Sequence, residues 1–279
     1  MKRPPSFAGS IKAVILDLDG VVYAGTTPIS GAAEAIAWLR QTGRRVFFCS
    51  NNSSRSREHY AQKLIGMGIP VDPMDIMTSA YGTARYLVAH GGANRTAYVI
   101  GEAGLRDALT DVGVRLIDDP ANQTAVDYVI VGLDRQFTYQ KLAAATYAIH
   151  HGAVFIATNR DATLPDDVEP LPGSGALVSA VETATSTSPI LIGKPEPYLL
   201  QTILTAWDYA PDDVLMIGDR LETDIMSGIH ANTHTALVLT GISTATDVEK
   251  LPADCRPTFV LNDLLELKEV LGETVVGGR

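Results

Sequence analysis

Short apolar runs, most of them rich in β-branched residues, recur along the whole chain and constrain its fold more than any other feature. They are IKAVIL (11–16), RVFFCS (45–50), TAYVIG (96–101), VDYVIVG (126–132), AVFIAT (153–158), PILIG (189–193), VLMIG (214–218), TALVLTG (235–241) and PTFVL (257–261). Their near-continuous apolarity, without alternation, is what parallel strands covered on both faces require. Segments with helical spacing lie between them. Ala32, Ile36 and Leu39 share one face, and Gly43 is placed to end that helix. Tyr139, Leu142, Ala143 and Ile149 mark a second helix, and Leu199, Leu200, Ile203, Leu204 and Trp207 a third. Strands alternating with helices make βαβ units, so the expected class is α/β with a doubly wound parallel sheet.

At 279 residues and 46% hydrophobic, the chain can build one large core or two smaller ones. Its formal charge of -10 argues against a nucleic-acid partner. No stretch approaches the ~20 apolar residues of a membrane helix, and the N-terminal apolar run is too short for a signal-peptide core. The expectation is a soluble cytoplasmic protein without a membrane partner. Cys49 and Cys255 form neither a disulfide framework nor a CxxC metal pair, and both read as small core hydrophobes in a reducing compartment. Trp38 and Trp207 read as core residues on apolar helix faces. His150 and His151 read as helix-end residues suited to the dipole, not as metal ligands.

Ligands collect at the carboxyl ends of parallel strands, so polar residues directly after an apolar run are site candidates. Four such places stand out: LDLDG (16–20), FCSNNSS (48–54), IGKPEP (192–197) and MIGDRLETD (216–224). Asp17 and Asp19, two apart on an extended segment, point to the same side, where like charges raise one pKa unless a cation intervenes. A hard cation such as Mg²⁺ removes that repulsion, and it needs few protein carboxylates beyond Asp17 and a second one such as Asp219. A carboxylate beside Mg²⁺ is suited to attack a phosphoryl group, with the second aspartate as general acid and then base. Ser50, the backbone around Asn51, and Lys194 are candidate donors to the phosphoryl oxygens. A calcium-loop reading of DLDG fails, because Val21 and Pro28 stand where ligands belong. IGKP is no phosphate-binding Walker loop, because Pro195 replaces the Ser or Thr.

The four segments together closely resemble the signatures of the haloacid dehalogenase superfamily of phosphohydrolases, in the expected order. SNNSSRS, ATNRDATLP and IGKPEP are further similar to its NagD-type and 4-nitrophenylphosphatase-like branch. The resemblance implies a Rossmann-like core, 1–80 and 186–279, with an inserted α/β cap at 81–185 that excludes bulk water when it closes. It implies Asp17 as nucleophile and Asp19 as acid/base. Gly20, Ser50, Asn51 and Lys194 become phosphate contacts. Asp17, the Asp19 carbonyl and Asp219 become Mg²⁺ ligands, with Asp224 supporting the metal. Asn52, Asn159, Arg160 and Asp161 are candidates for reading the leaving group. Gly173 and Gly175, ahead of a helical pattern, read as a loop that needs glycine dihedrals, with anion binding as the alternative.

The expected activity is a Mg²⁺-dependent phosphatase acting on a small phosphorylated metabolite: a sugar phosphate, glycerol phosphate, phosphoglycolate, a nucleoside monophosphate or pyridoxal phosphate. A phosphomutase and a non-catalytic phosphometabolite-binding protein remain as alternatives. The intact Asp19 disfavours the latter, since binding alone needs no proton shuttle. Oligomeric state stays open, with a homodimer as one option.

Overall fold

The computed structural model describes residues 10–122, 126–164 and 169–272. In chain order its strands are β1 (Ala13–Leu16), β2 (Tyr23–Ala24), β3 (Thr27–Pro28), β4 (Arg45–Ser50), β5 (Ile76–Thr78), β6 (Thr96–Ile100), β7 (Arg115–Leu116), β8 (Tyr128–Val131), β9 (Val154–Ala157), β10 (Thr163–Leu164), β11 (Leu171–Pro172), β12 (Ile190–Leu191), β13 (Val214–Gly218), β14 (His234–Val238) and β15 (Phe259–Leu261). Two compact units divide them. Unit 1 comprises residues 1–50, 61–77 and 194–279, and unit 2 comprises 51–60 and 78–193.

Unit 1 is built on a six-stranded sheet in the order β15-β14-β13-β1-β4-β5. The pairs β14–β15, β13–β14, β1–β13 and β1–β4 are parallel, with Leu16 opposite both Ile217 and Phe48. Every residue of β1 and β13 is buried, as the continuous apolarity of both runs requires for a doubly covered sheet. Helix α1 (Ala32–Gln41) buries Ala32, Ala35, Ile36 and Leu39 and leaves Ala33 and Glu34 exposed, the period of an amphipathic helix; next in chain order comes α2 (Arg57–Gly66). The edge strand β5 has no counterpart among the predicted strands.

Unit 2 holds a five-stranded sheet, β12-β9-β8-β6-β7, in which every neighbouring pair is parallel. Helices α3 (Ser79–Ala89), α4 (Ala103–Asp111), α5 (Tyr139–His150) and α6 (Ser174–Thr185) accompany it. Its core joins Ile100, Val129, Val131 and Phe155 of the sheet to Ala145, Val178 and Val181 of the helices. His150 closes α5, and His151 caps it, its Nδ1 lying 2.7 Å from the Tyr147 carbonyl and its ring stacked on Tyr147.

Three expected core residues lie nearer the surface. Trp38 and Trp207 are half-buried and carry the guanidinium groups of Arg44 and Arg45, the latter 3.3 Å from the Trp207 ring centroid. Large aromatic faces satisfy a cation as readily as an apolar neighbour. Cys49 is buried as expected, but Cys255 is partly exposed.

Candidate active site

In an open parallel sheet a crevice forms where two neighbouring strands lead off in opposite directions. In unit 1 that place lies between β1, which leads to β4 and β5, and β13, which leads to β14 and β15. The residues directly beyond these two strands are Asp17 and Asp219. The ladder runs one residue past β1, Asp17 donating its backbone N–H to the Ile217 carbonyl at 2.8 Å.

Lys194 binds this corner together. It is 2% exposed, and its ammonium donates to Asp17 Oδ1 and to Asp224 Oδ1, each at 2.6 Å, and to the Cys49 carbonyl at 3.3 Å. Asp224 comes from a single π-type turn (Leu221–Ile225) after β13, and its other oxygen accepts the Arg220 N–H at 3.1 Å. Such turns re-aim one side chain out of helical register.

Asp17, Asp219 and Asp224 offer carboxylate oxygens that all lie within 4.8 Å of one another. Burial pushes the Asp17 carboxyl well above the usual carboxylate range, Lys194 opposing the shift while Asp224 and Asp219 add to it. Burial, with Asp224 next, takes Asp219 up to about 6. Lys194 is pushed well above its ordinary value, since Asp17 and Asp224 outweigh the burial that disfavours its charge.

One ammonium among three carboxylates leaves the corner two charges short. Asp219 Oδ2 accepts the Ile242 N–H at 2.8 Å, but its Oδ1 is buried and has no hydrogen-bond partner among the described residues. A buried carboxylate oxygen without a donor is costly. The oxygen set and the charge deficit fit a hard divalent cation.

Beyond Asp17 the chain turns sharply into the β2–β3 hairpin. Gly20 takes φ +80°, and a Cβ there would stand 2.5 Å from Asp219 Oδ2, so both dihedral and space demand glycine. Its carbonyl accepts the Thr240 hydroxyl at 2.6 Å. Lys63 donates to the Gly25 carbonyl at 2.8 Å and covers the Tyr23 ring. Burial raises the Asp19 carboxyl, with Lys63 and then Arg220 opposing.

The structure thus brings Asp17, Lys194, Asp219 and Asp224 together, with Asp19, Gly20 and the buried Ser50 at the same sheet's strand ends. Asn51, Asn52, Asn159, Arg160 and Asp161 belong to unit 2. There Asn51 donates to Asp161 Oδ1 at 3.0 Å, and its carbonyl accepts Ser79 Oγ and, at 2.7 Å, Asn159 Nδ2. Asn52 accepts the N–H and hydroxyl of Ser54, at 2.8 and 2.7 Å, in a local turn. Arg160 forms a two-pronged pair with Glu182 at 2.7 and 2.8 Å.

Gly173 and Gly175 need no left-handed dihedrals. Their N–H groups donate to the Ala162 and Asp161 carbonyls, each at 2.9 Å, and a Cβ on Gly175 would meet the Arg160 carbonyl at 2.3 Å. Close backbone approach, not dihedral freedom or anion binding, calls for glycine here. Sequence reasoning also passed over Lys63, Thr240, Ile242 and Ser243, the last accepting Leu221 N–H at 3.0 Å. The signal for the latter three was present, since Thr240 stands at the end of the apolar run 235–241, which covers most of β14, and Ile242 and Ser243 directly follow it.

The pattern of the family described as haloacid dehalogenase-like hydrolase matches residues 14–115, and a second, HAD-hydrolase-like pattern matches 191–267. An acid sugar phosphatase of Staphylococcus saprophyticus is 41% identical over 256 residues, covering 92% of this chain and 96% of the relative. The crystal structure of a glycerol phosphate phosphatase from Mycobacterium tuberculosis, in complex with magnesium, superposes with a TM-score of 0.86 at 33% identity, covering 95% of this chain and 78% of that one. A 4-nitrophenylphosphatase from Thermotoga maritima superposes with a TM-score of 0.87 at 31% identity, over 95% of this chain and 99% of that one. Sheet order, strand-end chemistry and these likenesses agree: the chain belongs to the haloacid dehalogenase-like hydrolases, in their NagD-type and 4-nitrophenylphosphatase-like branch of phosphatases.

Proposed function

We propose that the protein is a Mg²⁺-dependent phosphomonoesterase of the cytoplasm that hydrolyses small sugar or polyol phosphates through an aspartyl-phosphate. The observation that carries the reading is the corner in which Asp17 meets Lys194 while Asp219 keeps a buried oxygen without a donor. The names of the relatives, an acid sugar phosphatase and a glycerol phosphate phosphatase, support the substrate class. Asp17, the Asp19 carbonyl and Asp219 would hold the cation, supported by Asp224. Bound there, it supplies the positive charge that lets a carboxylate approach an anionic phosphoryl group.

Asp17 attacks phosphorus, and the ester oxygen leaves with a proton from Asp19. Burial, which raises the Asp19 carboxyl against the opposing charges of Lys63 and Arg220, favours its proton-carrying form. Lys194 and Ser50, with Gly20 and Asn51 at their backbone, hold the phosphoryl oxygens as charge develops on them. Asp19 then takes a proton from water, which breaks the acyl phosphate and restores Asp17. Unit 2, in this reading, is the cap that shields the intermediate, and its segment 159–161 reads the leaving group.

The test is Asp17→Asn with 4-nitrophenyl phosphate, glycerol 3-phosphate and a sugar phosphate panel. Turnover should fall at least 10⁴-fold while the far-ultraviolet circular dichroism and the melting transition persist. EDTA should abolish turnover of the parent, and added Mg²⁺ should restore it. Retained turnover in either arm refutes the assignment.

A further inference from the structure

Unit 2 meets the same topological condition as unit 1. From β6 the chain goes outward to β7, and from β8 it goes the other way to β9 and β12, so a crevice lies beyond the ends of β6 and β8. A cavity of ≈ 650 Å³ opens there, lined entirely by residues of unit 2. That is the size of a small-molecule site.

Tyr98, from the middle of β6, is 7% exposed and lines the cavity, and no described residue hydrogen-bonds its hydroxyl. Burial, with Asp134 adding and Arg106 opposing, pushes its phenol up, so it stays a protonated donor. Four cations line the same space, Arg55, Arg106, Arg135 and Lys141, against three carboxylates, Glu102, Asp118 and Asp134. Arg135 takes both oxygens of Glu102 at 2.8 and 2.9 Å, and Lys141 binds the nearly buried Asp134 at 2.6 Å. Arg106 holds Asp118 only loosely, at 3.5 Å, and Arg55 has no ion-pair partner among the described residues. One guanidinium is therefore in excess and a second is weakly engaged. Beside them a buried phenol and carboxylate oxygens are poised for neutral hydroxyl groups.

We propose that this cavity is a second ligand site, separate from the Asp17 corner, and that it binds a small hydroxylated organic anion of the polyol phosphate kind. Arg55 and Arg106 take the anionic head as paired fork donors, and Tyr98 and Asp134 take the hydroxyls. The site does not depend on the roles given above to Asp17 or the metal.

The experiment is calorimetric titration of the full chain with Mg²⁺, using 3,4-dihydroxybutylphosphonate, whose C–P bond cannot be hydrolysed, and methylphosphonate as the anion alone. Two binding events are expected for the diol. Arg55→Gln with Arg106→Gln should weaken one of them at least tenfold and spare the other. Tyr98→Phe, which removes a single oxygen, should weaken that same event about fivefold for the diol and leave methylphosphonate unchanged. Binding of the diol that is indifferent to all three changes, whether in one event or two, overturns the proposal, whereas a single event that they weaken supports the cavity and counts against the Asp17 corner. So does equal weakening of both phosphonates by Tyr98→Phe. Turnover of 4-nitrophenyl phosphate by Tyr98→Phe should stay within twofold of the parent; a tenfold loss of kcat/KM would place the cavity in the catalytic site and end the claim of a second one.

Discussion

Replacing Lys194 by Met removes one charge from the polar corner at the ends of β1 and β13 while keeping most of its volume. Its side chain is 2% exposed, and its ammonium lies 2.6 Å from each of two carboxylates. Taking away one partner of a buried pair costs about 3–5 kcal/mol, because the remaining charges stay desolvated. At roughly 2–4 °C per kcal/mol for a unit of this size, the melting temperature should fall by about 10 °C. The chain supplies its own selective probe, since its two tryptophans, Trp38 and Trp207, both lie in unit 1. Tryptophan emission in EDTA therefore reports this unit alone.

The pH dependence has a definite sign. Asp17 already stands well above the carboxylate range with Lys194 present, and loss of the cation raises it further. A group whose folded pKa exceeds its unfolded value stabilises the fold fully below the unfolded value, about 4 for a carboxyl, and loses that contribution as pH rises through the folded one. The variant should thus recover stability between pH 7.5 and pH 5, narrowing its gap to the parent. A melting temperature within 2 °C of the parent at pH 7.5, or a gap unchanged at pH 5, refutes the reasoning.

Cys49, its thiol pushed up to about 12 by burial, should resist 5,5′-dithiobis(2-nitrobenzoate) in the native chain and react only after unfolding in urea; mass spectrometry of the labelled peptide decides it. Gly20→Ala forces a side chain into positive φ and against Asp219. Turnover at limiting Mg²⁺ should fall at least tenfold and recover in part at high Mg²⁺, as a Mg²⁺ titration of kcat/KM would show. Asp161→Asn should change kcat/KM unevenly across a phosphate-ester panel, whereas a uniform effect, or none, removes segment 159–161 from substrate selection.

The sheets were legible because burial on both faces writes an unbroken apolar run, and a carboxylate directly after such a run is conspicuous. That is how Asp17 and Asp219 stand out before any coordinates. The edge strand β5 was not legible, since its three residues, Ile76, Met77 and Thr78, are too few to show a period. Nor was the pairing of Arg160 with Glu182, or of Arg45 with Trp207, because tertiary packing chooses such partners among many equivalent charges. The half-buried tryptophans follow the same logic: helical spacing reports which face is apolar, not how deeply it sinks. Gly175 was marked by its place ahead of a helical pattern, but its cause, a crowded backbone crossing, exists only in three dimensions.

The compact units exchange the chain at 50/51, 60/61, 77/78 and 193/194. The first exchange falls directly after Ser50 and the last directly before Lys194. A chimaera that swaps one inserted unit for another would therefore have its sutures flush against two of the proposed phosphate contacts. If unit 2 reads the leaving group as proposed, grafting would exchange substrate preference while the donor sheet brings its own packing, but a suture slipped by one residue would strike chemistry rather than a tolerant linker.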